Sequence, residues 1–259
     1  MNNQIIFFGN GPLADAVLSV LSQHFDIIFH ARTKADLETV KQIKAAHPQA
    51  HGILASFGVL IKSDVLDIFE PEGILNVHPS LLPKFRGASP IESAILAGDT
   101  EFSVSIMKLV KKMDAGPIYF QTTLPDLPPN KSAIYTALAT AGAEWLVSNL
   151  NQLPIPTTQD DSLATLCGKF DKSLSLLHPE SHTATEILRQ IVAFQGFPKS
   201  KYAFFGQECI ILEAHLLEQD ATAPLEIRCS DGLSVAVDRL QPANRKPMDA
   251  KSFLNGYNK

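Results

Sequence analysis

Three polar side chains stand in a stretch that is otherwise largely apolar. They are Asn76, His78 and Asp114, in GILNVHPSLLPKFRGASPI and, further on, SIMKLVKKMDAG. A neutral imidazole gives or takes a proton near neutral pH, a side-chain amide donates a hydrogen bond to an oxyanion, and a carboxylate orients the ring or holds water. Acyl transfer to an amine uses all three. No GxSxG motif occurs, and no Ser or Cys stands in a triad context, so the pattern favours direct attack by a substrate amine over a covalent acyl-enzyme. No cluster of ligand side chains accompanies the trio, so no metal is expected. A lone Asn or His at a strand end is ordinarily a satisfied turn residue; the spacing of three such groups around one strand and one loop is what points to chemistry.

The elements that must position these groups are legible in the same chain. GILNVH reads as a short apolar strand; alternate residues of a strand share a face, which puts Asn76 and His78 side by side. In an open parallel sheet the carboxyl ends of the strands are where ligands bind. Upstream, QIIFF (Gln4 to Phe8) reads as a buried strand, GNGPLADAVLSVLSQHF as a tight turn and amphipathic helix, DIIFH (Asp26 to His30) as a second strand, Lys34 to His47 as a charged helix and GILAS (Gly52 to Ser56) as a third strand. This alternation predicts an α/β domain with a parallel sheet. FSVSIMKL (Phe102 to Leu109) alternates as a half-buried strand, Asp114 falls in a loop, another strand starts at Ile118, and Lys131 to Leu150 is the longest helix candidate, with Trp145 packed.

A rival signal lies at the first turn. Gly9, Gly11 and Ala14 satisfy the loose dinucleotide pattern G-x-G-x-x-A, with Arg32 placed for a 2′-phosphate, although the same glycines serve any tight strand-to-helix turn. Lys84 and Arg86, in the loop after His78, read as solvated charges.

QLPIPTTQDDS, over 152–162, is proline-rich, polar and aperiodic, which reads as a linker that ends a first domain. Beyond it a helix is expected over Thr185 to Phe194. Short strands are expected over Tyr202 to Phe205, Cys209 to Ala214, Leu225 to Arg228 and Leu233 to Val237, which together suggest a small β-rich barrel. The expected division is 1–155, a linker over 156–169, and 170–259.

Composition narrows the function classes. With 45% hydrophobic and 19% charged residues the chain is an ordinary globular protein able to bury a sizeable core. No apolar run is long enough to span a membrane, and MNNQIIFFGNGP lacks the marks of a signal peptide, so a cytoplasmic protein is expected. Cys167, Cys209 and Cys229 are odd in number and widely spaced, which points to packed thiols rather than disulfides or a zinc site. The net charge of −5 advertises no nucleic-acid partner, and any RNA contact must use a local basic patch.

NVHPSLLPKFRGASPI, the following AGD, and SIMKLVKKMDAGPI together resemble the signature of the folate-dependent formyltransferases. The resemblance implies a Rossmann-like formyltransferase domain, 10-formyltetrahydrofolate as co-substrate, Asn76, His78 and Asp114 as the catalytic residues, and main-chain contacts to the folate from Ser80, Leu81, Leu82 and Pro83. SFGVLIKSDVLDIF is similar to a further family segment, with Phe57 where Tyr is usual. The tail, DGLSVAVDRLQPANRKPMDAKSFLNG, resembles those members that formylate the methionine of initiator Met-tRNA, which implies a monomer with an OB-like, tRNA-binding C-terminal domain and Arg245 and Lys246 as a basic cluster. Members that formylate sugar-nucleotide amines share the NxHxSLLP and DxG segments and are the alternative. Two departures stand out: Leu177, His178 and Pro179 replace an expected Ile-Asp, and the basic insertion expected after the second strand is missing.

Overall fold

The computed structural model describes residues 3–128, 130–218 and 221–257. They fall into two compact units, one of the residues up to Ile91 with Thr100–Gly168, the other of Glu92–Asp99 with the residues from Lys169 onward.

The first unit opens with β1 (Gln4–Phe8), α1 (Pro12–Leu21), β2 (Asp26–Ala31), α2 (Asp36–Ala46), β3 (His51–Leu54), the short α3 (Ser63–Leu66) and β4 (Ile74–His78). After them come β5 (Arg86–Gly87), β6 (Phe102–Lys108), β7 (Ile118–Leu124), α5 (Lys131–Asn149) and β8 (Leu166–Cys167); α4 (Pro90–Ala97), between β5 and β6 in the chain, belongs from Glu92 onward to the other unit. The main sheet has the order β2-β1-β3-β4-β6-β7. Its first four strands pair in parallel, as the alternation of strands and helices requires, and β6 and β7 extend it antiparallel. The β6–β7 connection carries no helix. A connection that short admits a hairpin but not the crossover that a parallel partner needs. Ile5, Ile6, Phe7 and Phe8 are all completely buried, because a central strand covered on both faces reads as a continuous apolar run rather than an alternation. β3 ends before Ser56, which has a left-handed backbone (φ 52°), so the strand is shorter than its apolar run.

α1 begins at Pro12 behind Gly11, whose φ of 83° suits glycine; Pro at the first helical position costs no hydrogen bond. The Asn130 side chain accepts a hydrogen bond from the Ala133 amide (3.1 Å) and so caps α5. Gly142 lets α5 lie close on the sheet: a Cβ there would stand 2.9 Å from Val77 Cγ1.

The stretch over 152–162 is not a free tether. Ile118 and Thr157 exchange both backbone hydrogen bonds, each at 2.8 Å, and β8 pairs in parallel with β5. The segment has no helical or strand periodicity, so its backbone pairing had no signature in composition.

In the second unit come α6 (Ala184–Ala193), β9 (Ser200–Phe204), β10 (Gln207–Leu216), β11 (Glu226–Arg228), β12 (Ser234–Pro242), β13 (Met248–Asp249) and α7 (Ala250–Tyr257). The strands form an antiparallel sheet in the order β11-β12-β10-β9, with β13 also on β12. Ile187 and Ile191 of α6 and Phe253 of α7 complete its core with Ile211, Ile227, Val235 and Leu240. α6 starts with a capping box of Thr183 and Glu186. Cys209 and Cys229 lie in this core, and burial pushes the Cys209 thiol up to about 11, as expected of packed thiols. Among the described residues no helix is long and apolar enough to cross a membrane.

Candidate active site

The carboxyl end of β4 carries Asn76 and His78, 5% and 4% exposed. Val77 between them packs under Gly142 of α5, so strand alternation turns the amide and the imidazole to the opposite face. Asp114, 8% exposed, comes from the loop between β6 and β7 and meets them there. Asn76 Nδ2 donates to Asp114 Oδ1 at 3.4 Å, and His78 Nδ1 lies 3.8 Å from Asp114 Oδ2. Oδ2 also accepts the Gly87 backbone N–H at 2.8 Å. The structure thus brings together all three side chains expected from the sequence.

Two non-glycine residues at the site have left-handed backbones, Phe85 (φ 56°) and Asp114 (φ 49°). Such residues are uncommon and persist where surrounding contacts over-determine them. The Phe85 carbonyl accepts from His78 Nε2 at 3.0 Å, while the Phe85 N–H donates to Thr165 Oγ1 at 2.8 Å. A carbonyl can only accept, so Nε2 carries the hydrogen, and in the neutral ring Nδ1 is the bare nitrogen, facing Asp114. Gly87 is required by close approach: a Cβ would stand 2.0 Å from the Cys167 carbonyl oxygen across the β5–β8 pair.

The loop after His78 is pinned from below. Ser105, completely buried on β6, donates to the Ser80 carbonyl (2.5 Å) and accepts from the Leu82 N–H (3.2 Å). Gln121 Nε2 of β7 donates to the Leu82 carbonyl and to Ser105 Oγ, both at 2.9 Å. Ser80 Oγ in turn donates to the Lys84 carbonyl at 2.7 Å, and the Pro83 carbonyl accepts from the Thr165 N–H at 3.2 Å. Ser80 and Leu82 are buried and Leu81 is 43% exposed, so the loop offers main-chain groups and one apolar side chain on a rigid base.

Arg86 departs from its expectation as a solvated charge. It is 3% exposed, donates from Nε and Nη2 to Gln159 Oε1 (3.0 and 2.7 Å), and pairs through Nη1 with Asp161 at 2.7 Å. The surface prior fails because the partners lie more than 70 residues away in sequence. Lys84 is exposed. Gln159, absent from the sequence reading of the site, touches the Asp114 loop, and no signal in the aperiodic stretch that holds it could have found it.

The glycines of the first turn have a structural use. A Cβ at Gly9 would stand 2.0 Å from the Ala55 carbonyl oxygen, so the turn needs glycine to fit against β3's end. Asn10 Nδ2 donates to the Arg32 carbonyl and Arg32 Nε to His30 Nδ1. Phe57 is buried edge-on against Phe8, and Trp145 stacks on Phe120 with ring centroids 5.2 Å apart, so both rings pack.

An amide, an imidazole with one bare ring nitrogen and a carboxylate, held at the carboxyl end of β4, are the groups that acid–base group transfer uses. The sequence matches the formyl transferase family over residues 10–150 and the formyl transferase C-terminal domain over 180–258. It is 35% identical over 216 residues to a methionyl-tRNA formyltransferase of Granulibacter bethesdensis, covering 79% of this chain and 67% of that one. The chain belongs to the formyl transferase family. Two solved structures share its fold: a methionyl-tRNA formyltransferase from Clostridium thermocellum (TM-score 0.68, 16% identity, 93% of this chain and 99% of that one), and HypX from Aquifex aeolicus in complex with tetrahydrofolic acid (TM-score 0.75, 18% identity, 99% and 47%).

Proposed function

We propose that this chain transfers a formyl group from 10-formyltetrahydrofolate to the amino group of methionine on initiator Met-tRNA. The observation that carries the reading is the match of both parts of the chain to one family, with a 35%-identical relative named for that reaction. The convergence of Asn76, His78 and Asp114 supports it.

The co-substrate supplies the formyl carbon. A new C–N bond to the methionine nitrogen forms as the bond to the folate nitrogen breaks, and one proton passes from the attacking amine to the departing nitrogen. Asn76 Nδ2 donates to the formyl oxygen as negative charge grows there. His78, with Nε2 committed to Phe85, exchanges protons only at Nδ1: the neutral ring takes the amine's proton, and the charged ring can then hydrogen-bond the oxyanion and pass the proton on. Asp114 faces Nδ1 and stabilises the charged ring. Ser80, Leu81, Leu82 and Pro83 hold the folate; the Leu81 N–H, carbonyls that each keep a second lone pair, and the exposed Leu81 side chain suit a flat, hydrogen-bonding ring system.

The residues over 1–155 form the catalytic domain in this reading, and those over 170–259 bind tRNA. Arg245 and Lys246 are exposed in the turn between β12 and β13, where Gln241 Nε2 donates to the Arg245 carbonyl at 2.9 Å. The enzyme acts as a cytoplasmic monomer. The test offers purified protein and 10-formyltetrahydrofolate with initiator Met-tRNA, free methionine, an amino-sugar nucleotide or glycinamide ribonucleotide. Formylation of Met-tRNA is expected; formylation of the sugar nucleotide alone would overturn the acceptor while leaving the catalytic trio in place.

A further inference from the structure

We propose that Gln159 is the positioning residue for Asp114, an inference that rests on the function proposed above. The Asp114 loop runs between two antiparallel strands and holds its acid in a left-handed conformation, so its backbone must be gripped from outside. Gln159 supplies that grip. Its Nε2 donates to the carbonyls on both sides of the bend, Asp114 at 2.8 Å and Gly116 at 2.7 Å, which uses both amide hydrogens. Its Oε1 accepts from Nε and Nη2 of the buried Arg86 guanidinium, a donor-only group, so the amide can stand only one way round.

Arg86 is itself held by Asp161, which also pairs with Lys112 of the same loop. The neighbour of Arg86 is Gly87, whose N–H grips the Asp114 carboxylate. One two-residue strand therefore fixes Asp114 twice: directly at the carboxylate through Gly87, and at the backbone through Arg86 and Gln159. The side-chain hydrogen bonds of Gln159 go to Arg86 and to the Asp114 and Gly116 carbonyls, so its influence on the reaction passes through the placement of Asp114.

Two variants test this. Gln159→Met keeps the size of the side chain and removes its hydrogen bonds; Gln159→Glu keeps the acceptor for Arg86 and removes the donors to the two carbonyls. Both should lower kcat for Met-tRNA formylation by up to about 100-fold, the cost of misplacing a reacting group by about 1 Å. KM for 10-formyltetrahydrofolate should stay within about threefold. In an Asp114→Asn background the same changes should add no further loss, because a residue that acts through Asp114 has nothing left to position. Turnover within about twofold of the parent for Gln159→Glu, or an equal loss in both backgrounds, would overturn the proposal. If Asp114→Asn alone left turnover intact, the catalytic reading beneath it would fall, and the inference with it.

Discussion

The role proposed for His78 turns on a single neighbour. The Phe85 carbonyl holds Nε2, and Nδ1 is left toward Asp114 at 3.8 Å, beyond hydrogen-bond distance. Asn76 donates only weakly to Asp114, at 3.4 Å, so its amide is available to a developing oxyanion. Removal of an oxyanion donor typically costs about 10²- to 10³-fold in turnover, and Asn76→Ala should fall that far, with His78→Ala at least as impaired. Steady-state kcat of the folded variants checks this, and near-normal turnover by either one removes that residue from the mechanism.

The element that presents the loop proposed to bind folate is the antiparallel pair β6 and β7. Ser105 on β6 and Gln121 on β7 bind the carbonyls and amide of Ser80 and Leu82, so the loop's geometry is inherited from the sheet rather than from its own sequence. Ser105→Ala leaves the Ser80 carbonyl and the Leu82 N–H short of a partner in a buried place, which should cost about 1–3 kcal/mol of stability in urea unfolding. It should also raise KM for 10-formyltetrahydrofolate more than it lowers kcat, because the proposal gives binding to the loop and reaction to the trio. A variant as stable as the parent would mean that the loop holds its shape unaided.

For the whole molecule, the proposed reaction requires a chain of net charge −5 to meet an RNA. The second unit offers Arg245 and Lys246 in an exposed turn whose backbone is fixed by bonds from Gln241 and to Pro242. Two cations contacting phosphate make affinity fall with salt, and each lost contact reduces the log–log salt slope by about one. Arg245→Glu with Lys246→Glu should therefore raise KM for Met-tRNA and flatten its salt dependence, while KM for the folate stays put. Unchanged KM for Met-tRNA across a salt series would move the RNA contact elsewhere on the chain.

The features legible in the order of residues alone are local. Strand and helix order follow from apolar period, Asn76 and His78 share a face because strands alternate, and the glycine turns sit where side chains would collide with backbone. The NxHxSLLP and DAG motifs made the trio legible, because the chemistry constrains residue type at close spacing. Only tertiary structure decided the rest. The distance from Asp114 to His78, the hydrogen on Nε2, the burial of Arg86 and the grip of Gln159 all arise between residues that are dozens of positions apart. The stretch over 152–162 has the composition of a tether, yet its Gln159 holds the loop that carries Asp114. A hydrogen bond between distant segments leaves no period in either one, so it exists only once the sheet has brought them together.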